Sequence, residues 1–121
     1  MTVIGIDHVQ LAMPAGQEEQ ARGFYRDVLG LPESPKPPDM ATRGGCWFES
    51  DRVRIHLGVD KDFRPARKAH PGLLVDDLGT IAARCREKGL EIVQGNVVEG
   101  YNRIFVSDPF GNRIELLQKK P

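Results

Sequence analysis

An α+β fold made of two copies of one unit is what this sequence predicts, and three observations carry that prediction. The frame RI-L occurs as RIHL at residues 54–57 and as RIEL at residues 113–116, 59 positions later. The pair GL at residues 30–31 returns at 89–90 with the same spacing. Around both, period-2 apolar alternation, which marks half-buried strands, gives way to short 3.6-period stripes, which mark helices. His8 and His70 are 62 apart rather than 59; the three extra residues fall in PAGQ (residues 14–17), a turn-like stretch where insertion costs little.

Alternation places strands at residues 3–12, 44–49, 52–58, 70–75, 91–94, 101–107 and 112–118. Ala21, Phe24, Tyr25, Val28 and Leu29 form one helical stripe, and Leu78, Ile81, Ala82 and Cys85 another. Gly30 and Gly89 stand where a helix C-terminus favours a left-handed residue, and Asp77 is placed to cap the second helix. LPESPKPPD (residues 31–39) holds prolines that a central strand excludes, so it reads as a mobile loop or an edge, a connector or a lid. Pro71 makes the strand after His70 an edge there, or starts it at His70. Each half thus runs strand with His, helix, weak strand, hairpin.

The 121 residues suit one domain over 1–121, with module one at about 1–60 and module two at about 68–121. Cys46 and Cys85 lack any paired spacing, so reduced thiols and a cytoplasmic location are expected. No run approaches the roughly 20 apolar residues that span a bilayer, and no basic, then apolar leader opens the chain. Seventeen basic and seventeen acidic side chains balance, which argues against a nucleic-acid surface. RPARK (residues 64–68) reads as a solvated linker.

Strand parity then sorts the chemistry. Val9 and Leu11, Val53, Ile55 and Leu57, Leu73 and Val75, and Ile114 and Leu116 take the helix-packed face. His8, His56, His70 and Glu115 take the other. These are all three histidines of the chain plus one carboxylate, at repeat-related positions, and together they suit a divalent ion. With Ser50 and Asp51 as a two-residue turn, the first hairpin pairs Glu49 with Arg52, Phe48 with Val53, Trp47 with Arg54 and Gly45 with His56. Trp47 and Arg54 would then line the cleft, with Gly45 leaving room beside His56. In the second hairpin, SDPFGN (residues 107–112) is a turn of four or five loop residues. The hydrophobic pattern sends Ile104 and Val106 inward and Arg103 and Phe105 to the cleft, where Arg103 is a candidate clamp for a substrate carboxylate or phosphate.

GIDHVQLAMP, ARGFYRDVLGL, RIHL, AHPGLLVDDL and VSDPFGNRIELLQ together resemble the glyoxalase, bleomycin-resistance and dioxygenase family, the vicinal oxygen chelate superfamily, over essentially the whole chain. The resemblance implies two βαβββ modules whose mixed sheet curls around a metal cleft, with one divalent ion (zinc, nickel, cobalt, manganese or iron) on His8, His56, His70 and Glu115. It implies Glu115 as the catalytic carboxylate, Trp47, Arg54 and Arg103 against a small-molecule substrate, and a homodimer whose clefts draw on one chain or two. In lactoylglutathione lyases the position of His56 is commonly Glu, a departure here. The activity implied is that of an isomerase or lyase acting on a metabolite with vicinal oxygens. The alternatives are a metal-free drug- or metabolite-binding resistance protein and an iron-dependent ring-cleaving dioxygenase using His8, His70 and Glu115.

Overall fold

A computed structural model describes all of residues 1–121 and divides into two units, Met1–Arg64 and Pro65–Pro121. Each is a βαβββ unit with an open, four-stranded mixed sheet.

In the first unit β1 (Val9–Met13) is followed by α1 (Glu18–Ala21), the two-residue β2 (Glu33–Ser34), β3 (Cys46–Glu49) and β4 (Arg54–Val59). The sheet order is β1-β4-β3-β2, with β1 parallel to β4 and the other pairs antiparallel. The helical stripe spans more than α1 because α1 passes into a π turn, Arg22–Arg26, closed by bonds such as Leu29 N–H to Phe24 O (2.9 Å). The wider turn carries Phe24 and Tyr25 inward together, and with Ala21 and Val28 they are fully buried. Gly30 ends the turn at φ 77°, as its position predicts.

Two expectations shift here. Residues 1–8 belong to no strand: β1 begins at Val9, opposite Ile55, and Asp7 and His8 reach β4 through their side chains alone, at Arg54 and His56. That hairpin spends four residues, 50–53, on its loop, held by Ser50 N–H to Val53 O (2.8 Å). Glu49 therefore pairs with Arg54, Phe48 with Ile55 and Trp47 with His56, a slip of two that preserves every side chain's face. Gly45 is not a gap beside His56. It sits at φ 82°, and a Cβ there would run into the Leu57 carbonyl.

In the second unit β5 (Gly72–Leu74), α2 (Leu78–Glu87), β6 (Ile92–Gln94), β7 (Tyr101–Ser107) and β8 (Arg113–Lys119) form a sheet of order β5-β8-β7-β6, with β5 parallel to β8. Asp77 caps α2 by accepting from Thr80 N–H (3.0 Å) and Thr80 Oγ1 (2.8 Å), and these bonds lower its carboxyl below the usual range. Gly89 closes the helix at φ 71°, where Leu90 N–H reaches Cys85 O (2.9 Å). Ile81 and Cys85 of α2 are buried, as are Ile104, Val106, Ile114 and Leu116 of the hairpin. The loop of that hairpin has five residues, since Ser107 pairs with Arg113. Asp108 closes it, accepting from the N–H groups of Phe110 and Asn112 (both 2.9 Å) and from Asn112 Nδ2 (2.9 Å). Cys46 and Cys85 are free and buried, and burial pushes the Cys46 thiol up to about 11.

Candidate metal centre

His56 sits on β4 between β1 and β3, and its ring is stacked on one face by a residue of β3 and on the other by the residue just ahead of β1. Trp47 lies parallel to it at 3.9 Å between centroids, inclined by 3°, and His8 lies at 4.4 Å, inclined by 19°. The Trp47 contact follows from the register that makes the two residues cross-strand partners. His56 is only 5% exposed, and its Nε2–H donates to Glu49 Oε2 at 2.6 Å. His8, one residue ahead of β1, donates from Nδ1 to Asp7 Oδ2 (3.0 Å), leaving Nε2 uncommitted. Asp7 also pairs with Arg54 (3.0 Å), and its carboxyl is held low first by the His8 bond and then by the Arg54 charge. A cavity of about 540 Å³ opens beside these groups, lined by His8, Trp47, Glu49, Arg54 and His56.

In the second unit His70 and Glu115 meet. His70 precedes β5 and Glu115 lies on the adjacent β8, and His70 Nε2 is 3.0 Å from Glu115 Oε1. The carbonyl of Lys68 can only accept, so His70 Nδ1–H donates to it (2.8 Å). A neutral ring would then turn the Nε2 lone pair on a carboxylate oxygen, and two lone pairs at that distance repel. The arrangement calls for a cation between them, either a second proton on the ring or a metal ion. Arg103 Nη1 donates to the other carboxylate oxygen (3.0 Å), and its Nε–H donates to Asn96 O (2.9 Å). Burial raises the Glu115 carboxyl, but the bonds and charges of Arg103 and His70 outweigh it, and the net shift is downward. Phe105, opposite Glu115 in the ladder, is flanked by Arg103 at 5.0 Å and Arg113 at 3.9 Å.

Each unit thus joins its two predicted donors, His8 with His56 and His70 with Glu115. Neither unit by itself gathers three or more His, Cys, Asp or Glu side chains into a metal-binding cluster. Trp47 and Arg54 lie beside the first pair and Arg103 beside the second; Arg103 is engaged with Glu115 itself. Sequence reasoning missed Glu49. Its signal was parity, since it shares a strand face with Trp47, but the two-residue turn placed it against Arg52 instead of beside His56.

Two open βαβββ sheets define a glyoxalase-like fold, and comparison with known proteins narrows that class to a family. The profile of the Glyoxalase/Bleomycin resistance protein/Dioxygenase superfamily matches residues 5–116, and the chain belongs to that superfamily. A glyoxalase family protein from Bacillus anthracis is 42% identical with a TM-score of 0.91, over 99% of this chain and 98% of that one. A glyoxalase/dioxygenase from Nostoc punctiforme (17% identical, TM-score 0.74, 99% and 100% covered) shares the fold. So does the fosfomycin resistance protein FosX from Listeria monocytogenes (15%, 0.75, 98% and 96%). No curated protein matches the chain.

Proposed function

We propose that the chain is a divalent-metal-dependent enzyme of the isomerase or lyase type, acting on a small metabolite with vicinal oxygens. The observation that carries this reading is the His70–Glu115 pair, where a basic nitrogen and a carboxylate oxygen 3.0 Å apart share a place for a cation. Three imidazoles and one carboxylate fit zinc and its first-row neighbours, soft enough for nitrogen and hard enough for oxygen. His8 and His56 supply two donors and His70 and Glu115 two more. When bound, the ion would supply Lewis-acid polarisation of adjacent substrate oxygens. Glu115 is the catalytic carboxylate: Arg103 secures its ionised form, and Oε1 accepts a proton from the carbon beside those oxygens. With Arg103 and His70 both bound to it the carboxylate is a weak base, and release of either contact raises its basicity. Trp47, Arg54 and Arg103 contact the substrate.

In this reading the working form is a homodimer. Val3, Ile4 and Ile6 are 84–98% exposed ahead of β1, whose outer edge has no strand partner, and Leu74 on the edge strand β5 is 64% exposed. Such edges invite strand addition by a second copy. Deleting residues 1–6 should convert a dimer to a monomer by sedimentation.

Elemental analysis of protein purified without chelator tests the assignment. One equivalent of a divalent metal is expected, falling tenfold or more in His70→Ala and Glu115→Ala, because a lost ligand removes several kcal/mol of binding. Unchanged content in both variants, or none in the wild type, overturns it.

A further inference from the structure

The cavity beside His8 and His56 reaches past the donors to the loop of residues 35–45, and the charges there do not cancel. Its lining includes three permanent cations, Lys36, Arg43 and Arg54, and two carboxylates, Asp7 and Glu49. Both carboxylates are taken: Asp7 by Arg54 and His8, and Glu49 by His56. Lys36 and Arg43 have no acidic partner. Lys36 donates to the carbonyl of Gly44, and Arg43 makes no side-chain bond at all. The imbalance is local, since the chain as a whole has net charge zero.

The loop that presents these cations is held in place. Met40 N–H reaches Pro37 O (2.9 Å), Arg43 N–H reaches Met40 O (3.1 Å), and Gly45 N–H donates to Glu18 Oε2 (2.8 Å). Gly44 and Gly45 both take positive φ, 77° and 82°, which turns the chain from the short helical turn Ala41–Arg43 straight into β3. Pro35, Pro37 and Pro38 stiffen the approach. Met40 and Val59 add apolar surface to the same cavity, whose 540 Å³ suits a small organic molecule.

We propose that Lys36 and Arg43 form the anion subsite of this cavity, binding the carboxylate or phosphate of a small organic anion whose apolar body rests against Met40 and Val59. Lys36 contributes a point charge and Arg43 a two-pronged donor matched to a pair of oxygens. That the anion is the enzyme's substrate rests on the proposed function; that the subsite binds anions does not.

Trp47 is the single tryptophan and lines the cavity, so its fluorescence reports occupancy. Full-length protein stripped of metal by chelator is titrated with inorganic phosphate and, separately, with acetate, at constant ionic strength. A saturable change with at least one anion is expected, weakened threefold or more in Arg43→Gln and tenfold or more in the Lys36→Gln/Arg43→Gln double variant. Lys61→Gln, on an exposed loop outside the cavity, should match the wild type. Phosphate alone would assign a phosphate-type head and acetate alone a carboxylate; either supports the subsite. Saturation by neither anion, or equal affinity in Arg43→Gln and the wild type, overturns it. Arg43 is exposed and unbonded, so that variant keeps its fold if the double variant does not. Because metal is removed throughout, a chain that binds no metal fails the proposed function without touching this result.

Discussion

In the first unit the third residue of the repeated RI-L frame is His56, sandwiched between the Trp47 and His8 rings; in the second it is Glu115, clasped by His70 and Arg103. An aromatic ring lies opposite the donor in both ladders, Trp47 across from His56 and Phe105 across from Glu115. The arginine that opens the frame parts company: Arg54 pairs with Asp7, whereas Arg113 lies over Phe105 at 3.9 Å. The residue before the histidine explains this, being Asp7 in one unit and Ala69 in the other. One scaffold therefore holds a donor by ring stacking in the first unit and by charge in the second, and the two should respond differently to mutation, acid and salt.

The contrast breaks most visibly at Glu115. Glu115→Ala leaves the Arg103 guanidinium without its counter-charge and His70 Nε2 without its partner. Besides losing metal tenfold or more, it should cost about 2 kcal/mol in urea unfolding. Glu49→Ala, which leaves a ring still stacked on both faces, should cost about 1 kcal/mol. Equal losses would erase the distinction. Asn112→Ala, which removes the Nδ2 donor from the buried Asp108 of the second hairpin loop and the acceptor of Ala66 N–H, should cost about 1–3 kcal/mol. Ser50→Ala in the exposed loop of the first hairpin should stay within about 0.5 kcal/mol.

Acid sharpens the comparison more gently. The folded-state Glu115 carboxyl lies below its unfolded value, so the unfolded chain binds this proton first as pH falls. Its stabilisation is complete above the unfolded glutamate value of about 4.3 and is lost as pH drops through the lower folded one. Carbon-detected NMR titration should place the Glu115 midpoint below that reference, and Arg103→Gln should raise it; an unmoved midpoint would refute the role given to Arg103. Asp77 has the same sign, through its bonds from Thr80, so acid also frays the start of α2. Smallest of all, Arg54→Gln removes an exposed ion pair and should leave the melting temperature unchanged, because solvent and salt already screen it.

The sequence alone determined the repeat, the βαβββ order, the helix ends at Gly30, Asp77 and Gly89, and the strands that carry His56 and Glu115. Period-2 parity, a left-handed glycine and a capping aspartate are local properties, written in consecutive residues. Tertiary structure decided the rest: the four-residue loop that set Trp47 against His56, the π turn that buries Phe24 with Tyr25, the commitment of Arg103 to Glu115, and the unpaired Lys36 and Arg43. A loop's length changes register without changing pattern, and a charge is free or spent only according to what the folded chain brings beside it.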